Sequence, residues 1–533
     1  MALPRPVAIT PPLRRPRARI SPAEWRWLAL VGGILLLATV PPIVIAALQV
    51  PAGEVFPGYV VIARDAYVYQ ALWHAGASGD WLFRSRYTAE PLPGVLLYPW
   101  YLWGGHLLGG LPSAWLYHAT RLLAAGALGA AIYALAAELY RPFILRRWAF
   151  ILAAVGGGIG LLVPSIHLGP LTWRATETLS PGSSVADLVA MAPHLPLAMA
   201  LMCATFVAAL RMRRGTTWVL FGTGLAAVVG LQLIYPQLAL LAVLTIAAWS
   251  ATRRLRRPGL FAIATALMQA PYLAYLIALM RSHPLALAVV RSVLDVGDPF
   301  GFLVLSHLAA TVLIVVGLLS RRVRGDLILP GFWILGMTLF MFTPGISASL
   351  GRSFMASSIP FGLCAVPGLV VLLRRLRTRR WRRRALSAML AVAGFYGLVS
   401  LAQPVWIAAF RLDPKAEYEN RGEANLLAWL APRVSPRDLV LTTYLDGLFV
   451  PAQTNARVYA GHPDMTIDAP RKASEALDFF QSWAADRRDA FLHANGIDFV
   501  LTSDPGAVTR LETDPALRVV DRDGPSVLFQ VTP

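Results

Sequence analysis

The sequence predicts an all-α polytopic membrane protein of about eleven transmembrane helices, followed by a small extracytoplasmic α/β domain. Three observations lead there. Of 533 residues, 56% are hydrophobic and only 14% are charged, against ~25% charged in ordinary soluble domains. The mean hydropathy is +0.57. The formal charge of +19 is unevenly placed: the first 410 residues hold 35 basic and 11 acidic side chains, and the remainder 13 and 18. A basic surplus confined to the apolar part is the signature of membrane topology rather than of nucleic-acid binding.

The elements follow in order. Residues 1–26 form a basic N-terminus carrying Arg5, Arg14, Arg15, Arg17 and Arg19. The apolar run after it is longer than the ~7–15-residue core of a cleaved signal peptide, so it reads as a retained first span. Crossing ~30 Å of hydrocarbon takes ~20 apolar residues. Runs of that kind lie near 27–49, 113–137, 148–164, 193–210, 217–234, 236–251, 259–280, 300–319, 327–343, 355–373 and 385–408. The pair 217–234 and 236–251 also reads as one long helix broken at Tyr235-Pro236. With the N-terminus in the cytoplasm, 27 basic residues fall inside and seven outside (Arg64, Arg84, Arg86, Arg174, Arg281, Arg291 and Arg352), as the positive-inside rule requires.

An odd number of spans puts 411–533 outside, a multi-pass arrangement in a cytoplasmic membrane. This tail alternates strand-like pieces (439–443, 458–460, 498–502, 526–531) with helix-like ones (424–430, 474–485, 489–494), and ~120 residues suffice for a core of its own. The transmembrane domain, 27–410, carries two outer loops, 51–112 and 165–192. Connections this long are functional more often than structural. Cys203 and Cys364 both lie in apolar runs, which excludes a disulfide framework and a cysteine metal site. The run Arg374–Arg384 directly follows a span, so anionic lipid contact accounts for it without a nucleic-acid partner. No Walker-type loop, dinucleotide fingerprint or HExxH occurs.

Chemistry concentrates on the outer side. Asp65, in Arg64-Asp65-Ala66-Tyr67-Val68-Tyr69, follows the first span among aromatic residues. A carboxylate in such a partly dry pocket suits a general base; equally, it could neutralise a helix start or pair with Arg64. Glu90, in Arg86-Tyr87-Thr88-Ala89-Glu90-Pro91, could assist Asp65, bind an acceptor hydroxyl, or be a solvated loop acid. His118 and Arg121 share one helical face near the outer end of the second span, facing a cavity or snorkelling to the interface. Glu177 and Asp187 with His194 offer a carboxylate and an imidazole, but two ligands without a third leave a divalent metal open. Arg352, in an outer connection, suits a phosphate or anchors the next span.

These features resemble the integral-membrane glycosyltransferases of the GT-C fold, whose relatives include protein O-mannosyltransferases and aminoarabinose transferases. The local likeness lies in Asp65-Ala66-Tyr67-Val68-Tyr69, Arg86-Tyr87-Thr88-Ala89-Glu90-Pro91, Tyr117-His118-Ala119-Thr120-Arg121, Pro193-His194 and Gly351-Arg352. In the tail, Val458-Tyr459-Ala460-Gly461-His462-Pro463 and Gly496-Ile497-Asp498-Phe499-Val500 look like outer domains of bacterial members. The resemblance implies transfer of a sugar from a polyprenyl-phosphate donor to a lipid, polysaccharide or protein acceptor on the outer face, with inversion. It maps the catalytic base onto Asp65, with Glu90 beside it. It maps the lipid phosphate onto Arg352, with Arg121 or a metal in support. Tyr67, Tyr69, Arg86, His118, Glu177 and His194 complete the implied substrate site. One departure stands out. Members often carry two acids adjacent or one apart in the first loop, whereas Asp65 stands alone. Either Glu90 or Glu177 supplies the second, or the activity is altered or lost. The competing classes are a transporter or flippase, and a silent scaffold with an outer binding domain. Absence of an internal repeat and placement of charges at the outer ends of spans weigh against transport.

Overall fold

The computed structural model describes residues 20–109, 113–158, 165–168, 171–174, 182–215, 217–285, 305–320, 325–341 and 354–532. The fold is mostly helical. The first expected span is α1 (Pro22–Leu37) and α2 (Pro41–Leu48). The break at 38–40 arises because Pro41 and Pro42 supply no amide hydrogens to continue the helical ladder. Ser21 and Glu24 form a capping box at the start of α1. The first loop then holds β1 (Glu54–Val55), α3 (Ala63–Ala77) and α4 (Pro99–Leu108).

The bundle continues with α5 (Ser113–Leu139) and α6 (Phe143–Val155). The second loop holds the hairpin β2 (Ser165–Leu168) and β3 (Leu171–Arg174), then α7 (Val185–Leu188). After it come α8 (His194–Met212), α9 (Trp218–Ile234), α10 (Pro236–Thr252), α11 (Arg256–Ser282), α12 (Leu308–Leu319), α13 (Ile328–Met341), α14 (Ser358–Arg375) and α15 (Arg379–Phe410). A helix therefore lies at each expected span. Among the described residues, six stretches have the length and apolarity to cross a bilayer: Pro22–Leu48, Ala114–Leu139, His194–Met212, Arg256–Ser282, Ser358–Arg375 and Arg379–Phe410. The count of eleven is not reached on that measure, because α9, α10, α12 and α13 are shorter apolar helices and α6 has only 13 residues. At Tyr235, extended backbone (φ −146°, ψ 82°) separates α9 from α10, so these are two helices. Small residues set the closest packing: at Gly362 and Gly368 of α14, a Cβ would collide with the backbones of α6 and α12, an approach that only glycine permits.

From Arg411 the chain forms α16 (Pro414–Glu417), β4 (Glu419–Asn420), α17 (Arg421–Leu430), β5 (Leu439–Leu441), α18 (Phe449–Gln453) and β6 (Arg457–Val458). Then follow α19 (Ala469–Gln481), α20 (Ala485–Asn495), β7 (Phe499–Thr502), α21 (Pro505–Glu512), β8 (Leu517–Asp523) and β9 (Ser526–Val531). Five strands make one sheet in the order β6-β5-β7-β9-β8. β5 runs parallel to β6 and β7, and β9 antiparallel to β7 and β8. Side chains alternate across a strand, and the consequence here is a domain with two cores. Leu439 and Leu441 face a cluster with Phe479, Phe480 and Trp483. Val440, Val458, Leu501 and Leu528 join the same cluster as Tyr67 and the helical bundle.

Backbone pairing joins this domain to the first loop. β1 pairs antiparallel with β4, Glu54 opposite Asn420 and Val55 opposite Glu419. The Val458 amide donates to the Arg86 carbonyl at 2.8 Å, and Thr88 bridges to Ala460. Residues 86–88 thereby cover the β6 edge, which would otherwise present unpaired backbone groups.

Candidate active site

The site is built around the start of α3. Ile62 precedes it in the left-handed region (φ 48°), a strained conformation for a β-branched residue. That turn sets Asp65 in the first turn of the helix, where the exposed amides and the dipole favour a carboxylate. Arg64 does not pair with it; it reaches Asp413 at 3.1 Å. Asp65 instead meets His462 of the C-terminal domain, Oδ1 to Nε2 at 3.2 Å, and its side chain is 47% exposed while the imidazole is buried.

Aromatic rings line both sides of α3. Tyr67 points to the C-terminal domain: its hydroxyl donates to the Ala416 carbonyl at 2.8 Å, and its ring packs edge-on against Phe449 and Tyr59. One turn beyond Asp65, Tyr69 stacks on Tyr101 at 4.6 Å. The Tyr101 hydroxyl and His194 Nδ1 are 2.7 Å apart, and His194 stacks on Tyr235. Burial first, and the Asp65 charge second, hold the Tyr69 phenol well above its ordinary range, so it remains a neutral hydroxyl. The Tyr117 hydroxyl is buried with no hydrogen-bond partner among the described residues.

Arg121 lies one helical turn from Tyr117 on α5 and does not snorkel; it is 1% exposed. Its Nη1 donates to Thr39 Oγ1 at 2.9 Å and to the Val189 carbonyl at 2.7 Å. Its Nε donates to His118 Nδ1 at 3.3 Å, and His118 Nε2 donates to the Gly58 carbonyl at 2.7 Å. Among the described residues no carboxylate pairs with this guanidinium.

Arg86 and Glu90 occupy the interface between the first loop and the C-terminal domain. Arg86 donates to Asp80 and Asn455 at 2.7 and 2.8 Å. Both Glu90 oxygens accept from buried Lys472, at 2.7 and 2.6 Å. That engagement makes Glu90 a clasp between loop and domain rather than an open carboxylate beside Asp65. The pair is asymmetric: Glu90 is 41% exposed and Lys472 only 2%. Glu90→Ala, which strands a buried ammonium, should therefore cost about 2–3 kcal/mol of stability, and Lys472→Met, which leaves a carboxylate that water can reach, about 1 kcal/mol. Thermal unfolding of the two variants side by side checks the order.

Beside the Tyr67 contact lies a set of buried acids. Glu417, Glu419 and Glu423 are each 2% exposed or less. Neither oxygen of Glu417, and one oxygen each of Glu419 and Glu423, finds a hydrogen-bond partner among the described residues. Gln453 donates to the other Glu419 oxygen at 2.6 Å. Burial pushes the carboxyl of Glu417 up to about 7 and those of Glu419 and Glu423 up to about 8, and raises Asp446 as well.

Of the residues expected from sequence, Asp65, Tyr67 and Tyr69 converge here, with His194 behind Tyr69. His118 and Arg121 sit one layer deeper, and Arg86 and Glu90 lie in the interface. Glu177 and Arg352 lie outside the described residues. Sequence reasoning missed His462, Tyr101 and Tyr235 as members; the first stood only within the tail motif Val458-Tyr459-Ala460-Gly461-His462-Pro463. Among the described residues no three His, Cys, Asp or Glu side chains converge as a metal site.

No protein-family model matches the sequence, and no curated protein matches it. Similar solved structures include the oligosaccharyltransferase AglB of Archaeoglobus fulgidus in complex with an inhibitory peptide and a dolichol-phosphate. It is 13% identical, with a TM-score of 0.46 over 90% of this chain and 70% of that one. The Archaeoglobus fulgidus oligosaccharyltransferase tethered to an acceptor peptide gives 13%, 0.46, 92% and 71%. At this identity and TM-score the overlap assigns neither family nor activity.

Proposed function

We propose that the chain is a membrane glycosyltransferase that moves a sugar from a polyprenyl-phosphate donor to an acceptor hydroxyl, on the membrane face that carries the C-terminal domain. The observation that carries this reading is the arrangement at α3. A half-exposed carboxylate lies beside tyrosine rings, and a buried guanidinium without a carboxylate partner among the described residues lies one turn below Tyr117. Flat rings suit the apolar faces of a sugar, the carboxylate suits a hydroxyl proton, and the cation suits a phosphate.

In the proposed step Asp65 takes the proton of the acceptor hydroxyl as that oxygen bonds to the anomeric carbon. The bond from that carbon to the phosphate oxygen breaks on the opposite side, and its electron pair leaves with the polyprenyl phosphate. The anomeric centre is inverted. Arg121 stabilises the phosphate charge as it grows, from a position fixed beforehand by Thr39 and Val189. Arg352 is a second phosphate ligand in this proposal, and Glu90 a positioning residue that keeps the first loop on the C-terminal domain.

Donor binding tests the phosphate assignment. In nanodiscs, Arg121→Gln should weaken binding of a polyprenyl phosphate about 10- to 100-fold and leave the uncharged polyprenol unaffected. Equal loss for both lipids, with the unfolding temperature lowered, would assign Arg121 to the fold instead.

A further inference from the structure

The imidazole of His462 is held on every side that matters for its tautomer. Its backbone amide donates to Thr466 Oγ1 at 3.1 Å, and that hydroxyl donates in turn to the Tyr87 carbonyl at 2.6 Å. The turn is thus tied to the first loop. Gly461 sits against the Gly447 backbone so closely that a Cβ would stand 2.5 Å from the Gly447 carbonyl oxygen, which leaves the preceding backbone no room to shift. The Asp464 amide donates to His462 Nδ1 at 3.2 Å. An Nδ1 that accepts a hydrogen bond bears a lone pair, so the ring proton is on Nε2. Nε2 is the atom that faces Asp65 Oδ1 at 3.2 Å.

The neutral imidazole is therefore a donor aimed at one oxygen of Asp65, and Asp65 Oδ2 makes no hydrogen bond among the described residues. We propose that His462 is a positioning residue for Asp65: by occupying Oδ1 it turns Oδ2 toward the acceptor, and the C-terminal domain thereby completes the catalytic site on α3. The inference rests on the reading of Asp65 as base. Its physical content is orientation, since a hydrogen bond to a charged acceptor limits the carboxylate to one rotamer. Transfer then requires the C-terminal domain to be seated on the bundle, because the donor comes from the far side of the seam.

Two substitutions separate orientation from packing. His462→Phe keeps a ring and removes the donor. His462→Gln keeps an N–H donor at the position of Nε2. With polyprenyl-phosphate sugars as probe, His462→Phe should lower kcat about tenfold with the donor KM unchanged, and His462→Gln should restore most of it. In an Asp65→Asn background, His462→Phe should cost nothing further. A spectroscopic arm is independent of turnover: the carboxylate stretch that disappears in Asp65→Asn should shift in His462→Phe and keep its wild-type position in His462→Gln. An unshifted band in His462→Phe overturns the inference. A band that shifts in His462→Phe, when the wild-type protein turns over no donor, keeps the bond and overturns the transferase reading instead.

Discussion

Asp65→Asn is expected to lower sugar transfer by about 10²–10⁴-fold, the range typical of a lost general base, while the protein stays folded. Asparagine has nearly the shape of aspartate and its side-chain oxygen can still accept from His462 Nε2, so the seam between bundle and domain loses little. It cannot take a proton from an attacking hydroxyl. Binding of the donor should persist, because the tyrosine rings and Arg121 are untouched, so the loss should appear in kcat rather than in KM. Retention of full activity in Asp65→Asn would place the base elsewhere.

The second large effect is on pH. Glu417, Glu419 and Glu423 are buried, and Asp446 is half-buried, where the chain leaves the last helix and enters the C-terminal domain. The charged groups around them are Lys415, Asp413, Arg411 and Glu54, with Tyr67 and Tyr418 beside them. The seated form binds protons more tightly than the open form, because burial raises these carboxyls. The stabilisation these acids give the seated domain is therefore fully present below the ordinary carboxylate range. It weakens as pH climbs from there, and the loss is complete above about 8. A carboxyl raised from its ordinary value to about 8 carries on the order of 5 kcal/mol of this dependence, and neighbouring acids do not add independently. Proteolysis of the 411–420 connection is thus expected to accelerate between about pH 5 and about pH 9. Glu419→Gln, which needs no proton to stay neutral, should flatten that rise. A cleavage rate independent of pH would contradict the assignment.

Much of the helical bundle was legible because long apolar runs form a simple code. What that code omits is local backbone chemistry. The Pro41-Pro42 break in the first span escaped it, since both residues sit in an apolar run that reads as continuous. In the tail, β5, β7 and β9 were visible as short apolar pieces. β8 was not, because Leu517–Asp523 is an edge strand with mostly exposed or half-exposed side chains and shows no apolar alternation. The site divides in the same way. Asp65 was found as an acid among aromatic residues just after the first span, and His118 with Arg121 by helical spacing on a single element. His462 meets Asp65 across 397 residues, and no local pattern encodes such a pairing. The buried acids were invisible for a related reason. Glu417, Glu419 and Glu423 read as ordinary charged residues until β4 pairs with β1 and α17 packs on the sheet, which closes them from water.

The most direct test of the whole account is transfer of radiolabelled sugar from a panel of polyprenyl-phosphate sugars by the purified protein in nanodiscs, with Asp65→Asn alongside. The account predicts transfer, or slow hydrolysis of at least one donor, with an inverted anomeric product whose rate falls about 10²–10⁴-fold in Asp65→Asn. Failure of the wild-type protein to bind or turn over any donor in the panel would contradict it.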